Sequence, residues 1–409
     1  MSDNPIGPQE FNMGDVSGQN INIGGTYQII GDMSARTKAN HIPFMAPDMP
    51  SRFVNRPKVF AELLKIILAA DGKQTIGITS ALQGAGGFGK TTLAIALCHD
   101  ERVQKAYPDG VMWVTLGESG AVMEGLIKLY AELTGLRPRF VDTEDAANQL
   151  AGELKQRRCL MVIDDVWEMG HLRPFLQGGE TCTRLITTRQ SDIVMGSDAS
   201  GVQVDDMEQD EAVDLLLAGI EETPVDREPF VQLATQLGEW ALLLEIANAM
   251  LREEIRNGAD LAKALNWVND VLNEEGVHGV ELENEDERKR SATSVLAASF
   301  RRLELDETQR LCQLGIFSDD ANVPLSSVKC LWGLSKVRNR AQLVRFSRLG
   351  FIRYDAKTET FRVHDVIREL LLSRLDDIPS FHARLIDNYG DKTHLPDDYA
   401  WDHYAYHLL

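Results

Sequence analysis

The first half of the chain alternates short apolar runs with stretches of helical periodicity. The apolar runs have the length of strands and lie between polar or glycine-containing segments. They cover 75–79, 111–115, 159–163 and 184–188. The stretch 52–70 is typical of the helical segments, because Val59, Leu63 and Ile66 fall on one stripe. Strands that alternate with helices predict a parallel sheet with helices on both faces, and the fully apolar run 159–163 fits a strand covered on both sides.

After about residue 204 the strand-like runs stop, and apolar residues recur mainly at helical spacing. Predicted helices cover 211–220, 230–237, 241–252, 261–272, 295–303, 307–317 and 340–349. The charged, glycine-containing stretch 274–290 indicates a domain boundary. Nearer the C-terminus, the runs 351–354 and 360–363 flank a polar turn and predict a hairpin. Helices closed by a hairpin suggest a winged helix.

The N-terminal segment 1–33 differs from the rest of the chain. It is rich in Gly, Asn, Gln and Ile, and Asp15 is the only charged residue between Phe11 and Gly31. Its glycines exclude a strong helix. Two interpretations stay open. The segment is either a disordered leader or a short β-forming segment that stacks between chains, as low charge, β-branched residues and Asn ladders allow.

Composition narrows the class of protein. The 409 residues, 44% of them hydrophobic, are enough to bury more than one core. A formal net charge of −20 argues against a protein that grips a nucleic-acid backbone, so nucleic acid is not an expected partner. The five cysteines form no C-x-x-C pair, which fits reduced thiols. We expect a cytoplasmic protein, because neither a secretory signal nor an apolar run of 18 residues is visible.

The strongest chemical signal lies directly after the predicted strand 75–79. Residues 84–92 read GAGGFGKTT and fit the pattern G-x-x-x-x-G-K-[ST], a site for the phosphates of ATP or ADP. Glycines there let backbone N–H groups face phosphate oxygens, and the helix that follows adds its positive dipole end. Lys90 is expected to reach the β- and γ-phosphates, and the Thr91 hydroxyl to bind Mg²⁺. The predicted contacts in this loop are Gly84, Gly86, Gly87, Phe88, Gly89, Lys90, Thr91 and Thr92.

Charged residues follow two further strands. Asp164 and Asp165 follow the run 159–163, and Arg189 follows the run 184–188. Asp164 is predicted to lie on the Mg²⁺ side, and Asp165 to orient or deprotonate the attacking water. A cation at Arg189 could contact a γ-phosphate and report hydrolysis. A lone arginine at a strand end is more often a surface residue, so both readings stay open on the residues alone. The predicted catalytic residues are Asp165, Lys90 and Arg189, and the predicted metal ligands are Thr91 and Asp164.

The segments GAGGFGKTT, LMVIDDVWE and LITTR, in this order and spacing, resemble the NB-ARC family. These are signal-transducing ATPases of plant disease-resistance proteins, apoptotic-protease-activating factors and related bacterial and fungal proteins. The resemblance covers roughly residues 50–376. Segment 53–56 is similar to the family's adenine-bordering segment, with Asn in place of Gly. Segment 237–242 is similar to the family's Gly-Leu-Pro-Leu motif, with Ala in place of Pro. Segment 363–365 is similar to the family's Met-His-Asp motif, with Val in place of Met. The resemblance adds as predicted nucleotide contacts Phe53, Val54, Arg56, Ala241, Leu242 and His364.

The resemblance implies a fold and a function. The implied fold is an α/β P-loop NTPase domain over 34–203, an all-α helical domain over 204–280 and a winged-helix domain over 281–376. The implied function is a signalling switch in innate immunity, programmed cell death or a related response. ADP holds it closed through His364 and the β-phosphate, ATP opens it for homo-oligomer formation, and slow hydrolysis to ADP and phosphate resets it. ATP or ADP and Mg²⁺ are the implied cofactors, and the downstream effector is unknown.

Both ends of the chain carry further expectations. Residues 377–409 are expected to be the start of a linker or of sensor-proximal helices. Within them, 399–409 is aromatic-rich and resembles the entry to a repeat sensor, and no repeat period of 20 to 50 residues is present. The resemblance therefore indicates a bacterial or fungal member without its C-terminal repeat sensor. The segment 11–31 resembles the short amyloid-type signalling motifs of some such members.

Two other functions remain as alternatives. The first is a metabolic ATPase or small-molecule kinase, although no second substrate site is legible. The second is a nucleotide-gated transcription regulator that uses the winged helix on DNA. Arg338, Arg340, Arg345 and Arg348 supply basic charge for that role, and the overall charge of −20 opposes it.

Overall fold

The computed structural model describes residues 21–23, 26–28, 42–50, 52–70, 72–80, 86–118, 120–277, 279, 285–318, 321–390 and 394–408. In the N-terminal segment, strand β1 (Ile21–Ile23) pairs antiparallel with β2 (Thr26–Gln28), with Asn22 opposite Tyr27. This short hairpin agrees with the β-forming interpretation of the segment. Stacking between chains stays a prediction.

The predicted parallel sheet is confirmed. Its five strands lie in the order β4-β5-β6-β3-β7, and all neighbours run parallel. The elements of this part are α1 (Pro57–Ala69), β3 (Thr75–Thr79), α2 (Lys90–His99), α3 (Glu101–Ala106), β4 (Val111–Thr115), α4 (Val122–Thr134), α5 (Thr143–Leu154), β5 (Leu160–Val166), α6 (Met169–Leu172) with a 3₁₀ turn (Arg173–Leu176), β6 (Thr183–Thr188), α7 (Ser191–Gly196) and β7 (Ser200–Gln203).

Helices cover the sheet on both faces, as the apolar run of β5 predicts. All seven residues of β5 are buried. Successive side chains belong to opposite cores, because Leu160 and Val162 pack in one cluster while Met161 and Ile163 pack in the other. The edge strand β7 has no counterpart among the predicted strands. Val202 is its only buried residue, so the sequence carries almost no apolar signal there.

The second half is helical, as predicted, with helix ends shifted by a few residues. Its first helices are α8 (Gln209–Leu217), α9 (Glu228–Gln236), α10 (Ala241–Arg256), α11 (Leu261–Glu274) and α12 (Glu285–Phe300). The domain boundary over 274–290 stays a prediction, and α12 begins inside that stretch, at Glu285. Charged residues at 287, 289 and 290 leave a buried stripe of Arg288, Ala292 and Val295, which lets α12 pack on the helices before it.

The predicted hairpin is confirmed and gains a third strand. The remaining elements are α13 (Leu305–Gln313) with a 3₁₀ turn (Leu314–Ile316), β8 (Val323–Pro324), α14 (Leu325–Trp332), α15 (Lys336–Arg348), β9 (Arg353–Asp355), β10 (Thr360–Arg362), α16 (Asp365–Ser373), α17 (Ile378–Tyr389), α18 (Asp398–Asp402) and a 3₁₀ turn (Tyr406–Leu408). The antiparallel sheet has the order β8-β10-β9. Three helices and this small sheet are compatible with the winged-helix prediction, which stays a prediction.

One buried apolar cluster runs through all of these parts. It extends from Leu63 in α1 through Leu243 in α10 and Phe346 in α15 to Ala400 in α18. The nucleotide sheet, the helical segment and the C-terminal segment therefore pack against one another. Within the described ranges, none of the helices is both long and apolar enough to cross a bilayer.

Candidate nucleotide-binding site

Parallel strands bring the predicted site residues to one edge of the sheet. The phosphate loop follows β3, the two aspartates stand at the end of β5, and Arg189 follows β6. Because β6 lies between β5 and β3, Arg189 is placed between the aspartates and the loop. Ligands of open parallel sheets bind outside the carboxyl ends of the strands. The structure thus groups the loop, Asp164, Asp165 and Arg189 as the sequence predicts.

The described part of the phosphate loop runs from Gly86 into α2. Gly84 lies outside the described residues. Gly87 and Gly89 have φ values of +79° and +88°, a conformation that L side chains rarely adopt. Helix α2 begins at Lys90 directly after this turn, so the backbone N–H groups of its first turn face the loop. Thr91 and Thr92 lie in the first turn of the same helix.

The Lys90 ammonium is buried at the centre of the site. Its Nζ lies 3.5 Å from Ser80 Oγ, and the residue is only 8% exposed. Burial, and secondly the nearby Arg189, lower the pKa of Lys90 to about 8, although the three aspartates around it act in the opposite direction. A bound anion would relieve the cost of this buried charge, which is what a phosphate-binding lysine requires.

The buried Asp164 carboxylate lies within hydrogen-bond distance of three threonine hydroxyls. Thr91 Oγ1 donates to Oδ1 over 2.8 Å and Thr187 Oγ1 over 2.6 Å, while Thr115 Oγ1 lies 3.4 Å from Oδ2. The predicted metal ligands Thr91 and Asp164 are therefore adjacent. A hydroxyl and a carboxylate are donors that Mg²⁺ accepts in P-loop sites, so the pair fits this ion. Among the described residues no group of three or more His, Cys, Asp and Glu side chains could hold a metal.

Asp165 has a strained backbone and fixed carboxylate oxygens. Its φ is +53°, which is uncommon for a residue with a side chain, and it lies at an irregularity in the β5–β6 pairing. Trp167 Nε1 donates to Asp165 Oδ2 over 3.0 Å, and Arg189 Nε lies 3.6 Å from Oδ1. The Trp167 ring lies 4.9 Å from the Arg189 guanidinium carbon. Sequence reasoning did not single out Trp167, although it stands two positions after Asp165.

Asp365 closes the site from the C-terminal part of the chain. Its Oδ2 forms an ion pair with Arg189 Nη1, and both side chains are largely buried. A Cβ on Gly86 would lie 2.7 Å from Arg189 Nη1 and 3.0 Å from Asp365 Oδ2, so only glycine lets this pair rest on the loop. The sequence motif 363–365 was predicted to act through His364. The structure places Asp365 against the loop, with His364 Nδ1 2.6 Å from Asp365 Oδ1.

Electrostatics stabilise the charged form of Asp365. Burial alone would raise the pKa of its carboxyl, but His364 and Arg189 outweigh burial and hold the pKa well below its ordinary value. Asp365 is also the first residue of α16, and His364 is the N-cap. The helix dipole adds to the stabilisation of a carboxylate at this end. Asp365 therefore stays ionised beside Arg189 at neutral pH.

The helical segment holds the phosphate loop from another side. Trp240 Nε1 donates to the Gly86 carbonyl over 3.0 Å, and Leu242 N donates to the Gly87 carbonyl over 3.1 Å. The Trp240 ring also stacks on Phe88, with centroids 6.0 Å apart. Ala241 and Leu242 begin α10 beside the loop, where the motif 237–242 predicts them. The sequence did not predict the role of Trp240, because nothing near it in the sequence indicates a contact with Gly86, 154 positions away.

Arg56 has protein partners instead of an open guanidinium. It donates to the backbone carbonyls of Phe88, Asp205 and Asp206, and it pairs with Glu211 at 3.1 Å. These contacts tie the phosphate loop to the start of the helical segment. Phe53 and Val54 are half-buried just before it. The predicted adenine contacts of Phe53, Val54, Arg56, Ala241 and Leu242 stay predictions.

The parallel sheet, the glycine loop before α2, the buried Lys90 and the Thr91–Asp164 pair define a P-loop nucleotide-binding protein. Residues 60–225 match the NB-ARC domain family. The chain therefore contains an NB-ARC domain, as the order of its motifs predicts.

Curated relatives and a solved structure agree with this assignment. The regulatory protein AfsR of Streptomyces coelicolor is 30% identical over 219 residues, which cover 51% of this chain and 22% of that protein. Apoptotic protease-activating factor 1 of Danio rerio is 21% identical over 375 residues, 84% of this chain and 28% of that protein. The solved structure of a STAND protein with a tetratricopeptide repeat sensor from Pyrococcus horikoshii superposes with a TM-score of 0.53 at 17% identity. The matched part covers 87% of this chain and 48% of that protein, and the similarity supports the fold only. The chain spans about a quarter of the length of the curated relatives it matches.

Proposed function

We propose that this chain is a nucleotide-dependent switch in signalling, closed with ADP and open with ATP. The observation that carries the proposal is the ion pair between Arg189, at the end of a central strand, and Asp365, at the start of α16. This pair joins the nucleotide site to the C-terminal part of the chain. The names of the relatives, a regulatory protein and an apoptotic activator, support a signalling role.

Each residue at the carboxyl edge of the sheet has a proposed role in binding one part of the nucleotide. Backbone N–H groups at the start of α2 and the Lys90 ammonium would hold the phosphates. Thr91 and Asp164 would hold Mg²⁺, which would neutralise phosphate charge when bound. His364, next to Asp365, is the proposed β-phosphate contact of the ADP state. Each of these roles is a proposal drawn from the family and compatible with the geometry.

Arg189 is the residue able to distinguish ATP from ADP. In the closed arrangement its charge is balanced by Asp165 at 3.6 Å and by Asp365. An additional phosphate group near Gly86 would compete with Asp365 for the guanidinium, since the pair rests on that glycine. Moving a two-state equilibrium from 1:99 to 99:1 takes about 5.5 kcal/mol. Removing one partner of a buried ion pair costs about 3–5 kcal/mol, so this single exchange supplies much of the required difference.

Hydrolysis serves to reset the switch and is slow in the closed arrangement. Asp165 is the proposed group that orients the attacking water. Its Oδ2 accepts from Trp167, and its Oδ1 faces Arg189, so both oxygens have partners before any water arrives. Opening the Arg189–Asp365 pair would rearrange this network. We further propose a cytoplasmic protein that forms homo-oligomers when ATP is bound.

A histidine variant tests the switch. His364→Ala should favour the open state, release ADP faster and promote oligomer formation, because it removes the group 2.6 Å from Asp365 Oδ1. Ser373→Ala, at the far and exposed end of the same helix, is the control. The measurements are ADP dissociation in stopped flow and mass by light scattering. A His364 variant that stays monomeric with unchanged ADP retention would count against the proposed lock.

A further inference from the structure

Basic charge is concentrated in one stretch of an acidic chain. Residues 321–354 contain seven Lys and Arg and no Asp or Glu, while the whole chain has a formal net charge of −20. Five of the seven cations lie on helix α15. The net charge, which argued against nucleic acid, is an average that conceals this segregation.

One face of α15 packs inward and the opposite face is open. Asn339, Leu343 and Phe346 are buried completely, and the Phe346 ring contacts Trp332 of α14. On the other side Val337 is 79% exposed and Ala341 is exposed as well. At about 100° per residue, Arg338 lies on one side of the Val337–Ala341 line and Arg340 on the other, while Arg348 falls on the line itself at the C-terminal end of the helix. The outer face is therefore a low ridge with cations on both flanks.

Three of these arginines are available to a partner. Arg345 pairs with Glu307 at 2.8 Å, and Lys336 pairs with Glu359 at 2.6 Å, so these two cations are used inside the chain. Arg338, Arg340 and Arg348 are exposed. Their guanidinium groups make no ion pair or hydrogen bond with any residue in the described ranges. The fold thus leaves Arg338 and Arg340 on the two flanks of the ridge, and Arg348 on its line, without a charge partner in the described ranges.

We infer that the outer face of α15 binds duplex DNA, with Arg338, Arg340 and Arg348 on the phosphates. A 13-residue helix is about 20 Å long, and a major groove about 12 Å wide admits one helix. Val337 and Ala341 at the centre allow close approach along the first turns of the helix, and Arg338 and Arg340 on the two flanks meet the two phosphate backbones. Lys357, in the turn of the adjacent β9–β10 hairpin, lies 3.6 Å from Asp48 Oδ2 through its Nζ and is therefore not counted among the available cations.

Acidic residues elsewhere do not prevent such a contact. At physiological ionic strength charges more than about 8 Å apart are largely screened, so local charge decides the encounter. These arginines would also attract an acidic protein surface, but binding of such a surface does not require cations on both flanks of a ridge. This binding activity is independent of the nucleotide switch, because no residue of α15 lies at the site of the phosphate loop.

The test measures binding of the full chain to a fluorescent DNA duplex of about 20 base pairs between 50 and 200 mM NaCl. The variant is Arg338→Glu/Arg340→Glu/Arg348→Glu. The control, Arg137→Glu/Arg139→Glu/Lys155→Glu, makes the same charge change at exposed positions of the nucleotide domain. We expect wild-type affinity to fall steeply with salt, at a log–log slope of about −0.9 for each phosphate contacted. The variant should lose at least about tenfold in affinity, and its slope should be shallower by about 2 to 3, while the control stays near wild type.

Three outcomes would overturn the inference. One is the absence of salt-dependent duplex binding by the wild type, and another is an equal loss of affinity in the variant and the control. The third is a variant that binds duplex normally but changes its mass in light scattering, which would make this face a contact between copies of the chain. Retention of ADP is measured in parallel. A failure of duplex binding with intact ADP retention separates this inference from the proposed switch.

Discussion

Replacing Asp365 by Asn tests the contact that joins the nucleotide site to α16. The substitution keeps the size of the side chain and removes its charge. Arg189, whose side chain is 8% exposed, then loses its nearest carboxylate. Loss of one partner from a buried ion pair costs about 3–5 kcal/mol. Asp165 remains 3.6 Å from Arg189 Nε and compensates in part, so we expect about 2–3 kcal/mol.

That free energy translates into a rate. A change of about 1.4 kcal/mol is tenfold in an equilibrium constant, so the closed-to-open ratio should fall roughly 30- to 150-fold. If ADP leaves only from the open arrangement, its dissociation should accelerate by up to the same factor. The assay is stopped-flow release of a fluorescent ADP analogue into excess ADP. Asp376→Asn, the same chemical change at an exposed residue after the end of α16, is the control.

A release rate for Asp365→Asn within twofold of the control would show that Asp365 does not hold the closed state. A double-mutant cycle with Arg189→Gln sharpens the test, because residues in direct contact should show a coupling of about 2 kcal/mol. Additive effects would mean that the pair does not hold the closed state. The structure also predicts how the contribution of Asp365 to the stability of the closed state depends on pH. Because the pKa of Asp365 is depressed, its stabilising contribution is complete above the ordinary pKa and is lost only as pH falls through the lowered value. The wild-type rate should therefore show no loss of the pair between pH 5 and 8.

Two further predictions concern the phosphate loop. With the pKa of Lys90 lowered to about 8, its charged fraction in the nucleotide-free protein falls from about nine tenths at pH 7 to about one tenth at pH 9. Calorimetry should accordingly show about tenfold weaker ADP binding at pH 9 with an uptake of about 0.9 proton, and equal proton uptake at both pH values would contradict this. Trp240→Phe leaves the buried Gly86 carbonyl without its donor, at a cost of about 1–3 kcal/mol, and should weaken ADP binding about tenfold. The control Trp401→Phe, at a residue that is 53% exposed, should bind ADP like the wild type. An equal loss of ADP affinity in Trp240→Phe and Trp401→Phe would show that the loss does not come from the phosphate loop.

Much of the site could be predicted because its chemistry sits at strand ends. The phosphate loop, the two aspartates and Arg189 each follow an apolar run, and parallel strands bring such ends to one edge. Local sequence was therefore sufficient to expect these residues close together. The Thr91–Asp164 contact at 2.8 Å follows from the same geometry.

Contacts between distant parts of the chain could not be read from the sequence. Asp365 is 176 positions from Arg189, and its motif drew attention to the neighbouring His364. Trp240 and Arg56 hold the phosphate loop through backbone carbonyls, which leave no trace in the residue pattern. Weak periodicity explains the other misses, since β7 buries only Val202 and the start of α12 is dominated by charge.

The central claim is that the bound nucleotide decides how the domains are arranged and whether copies associate. The most direct measurement is the mass of the purified chain by light scattering, first with its co-purifying nucleotide identified, then with a non-hydrolysable ATP analogue and Mg²⁺. We expect retained ADP in a monomer of 45.6 kDa, and a multiple of that mass with the analogue. The same mass in both states, or a monomer that retains no ADP, would contradict it.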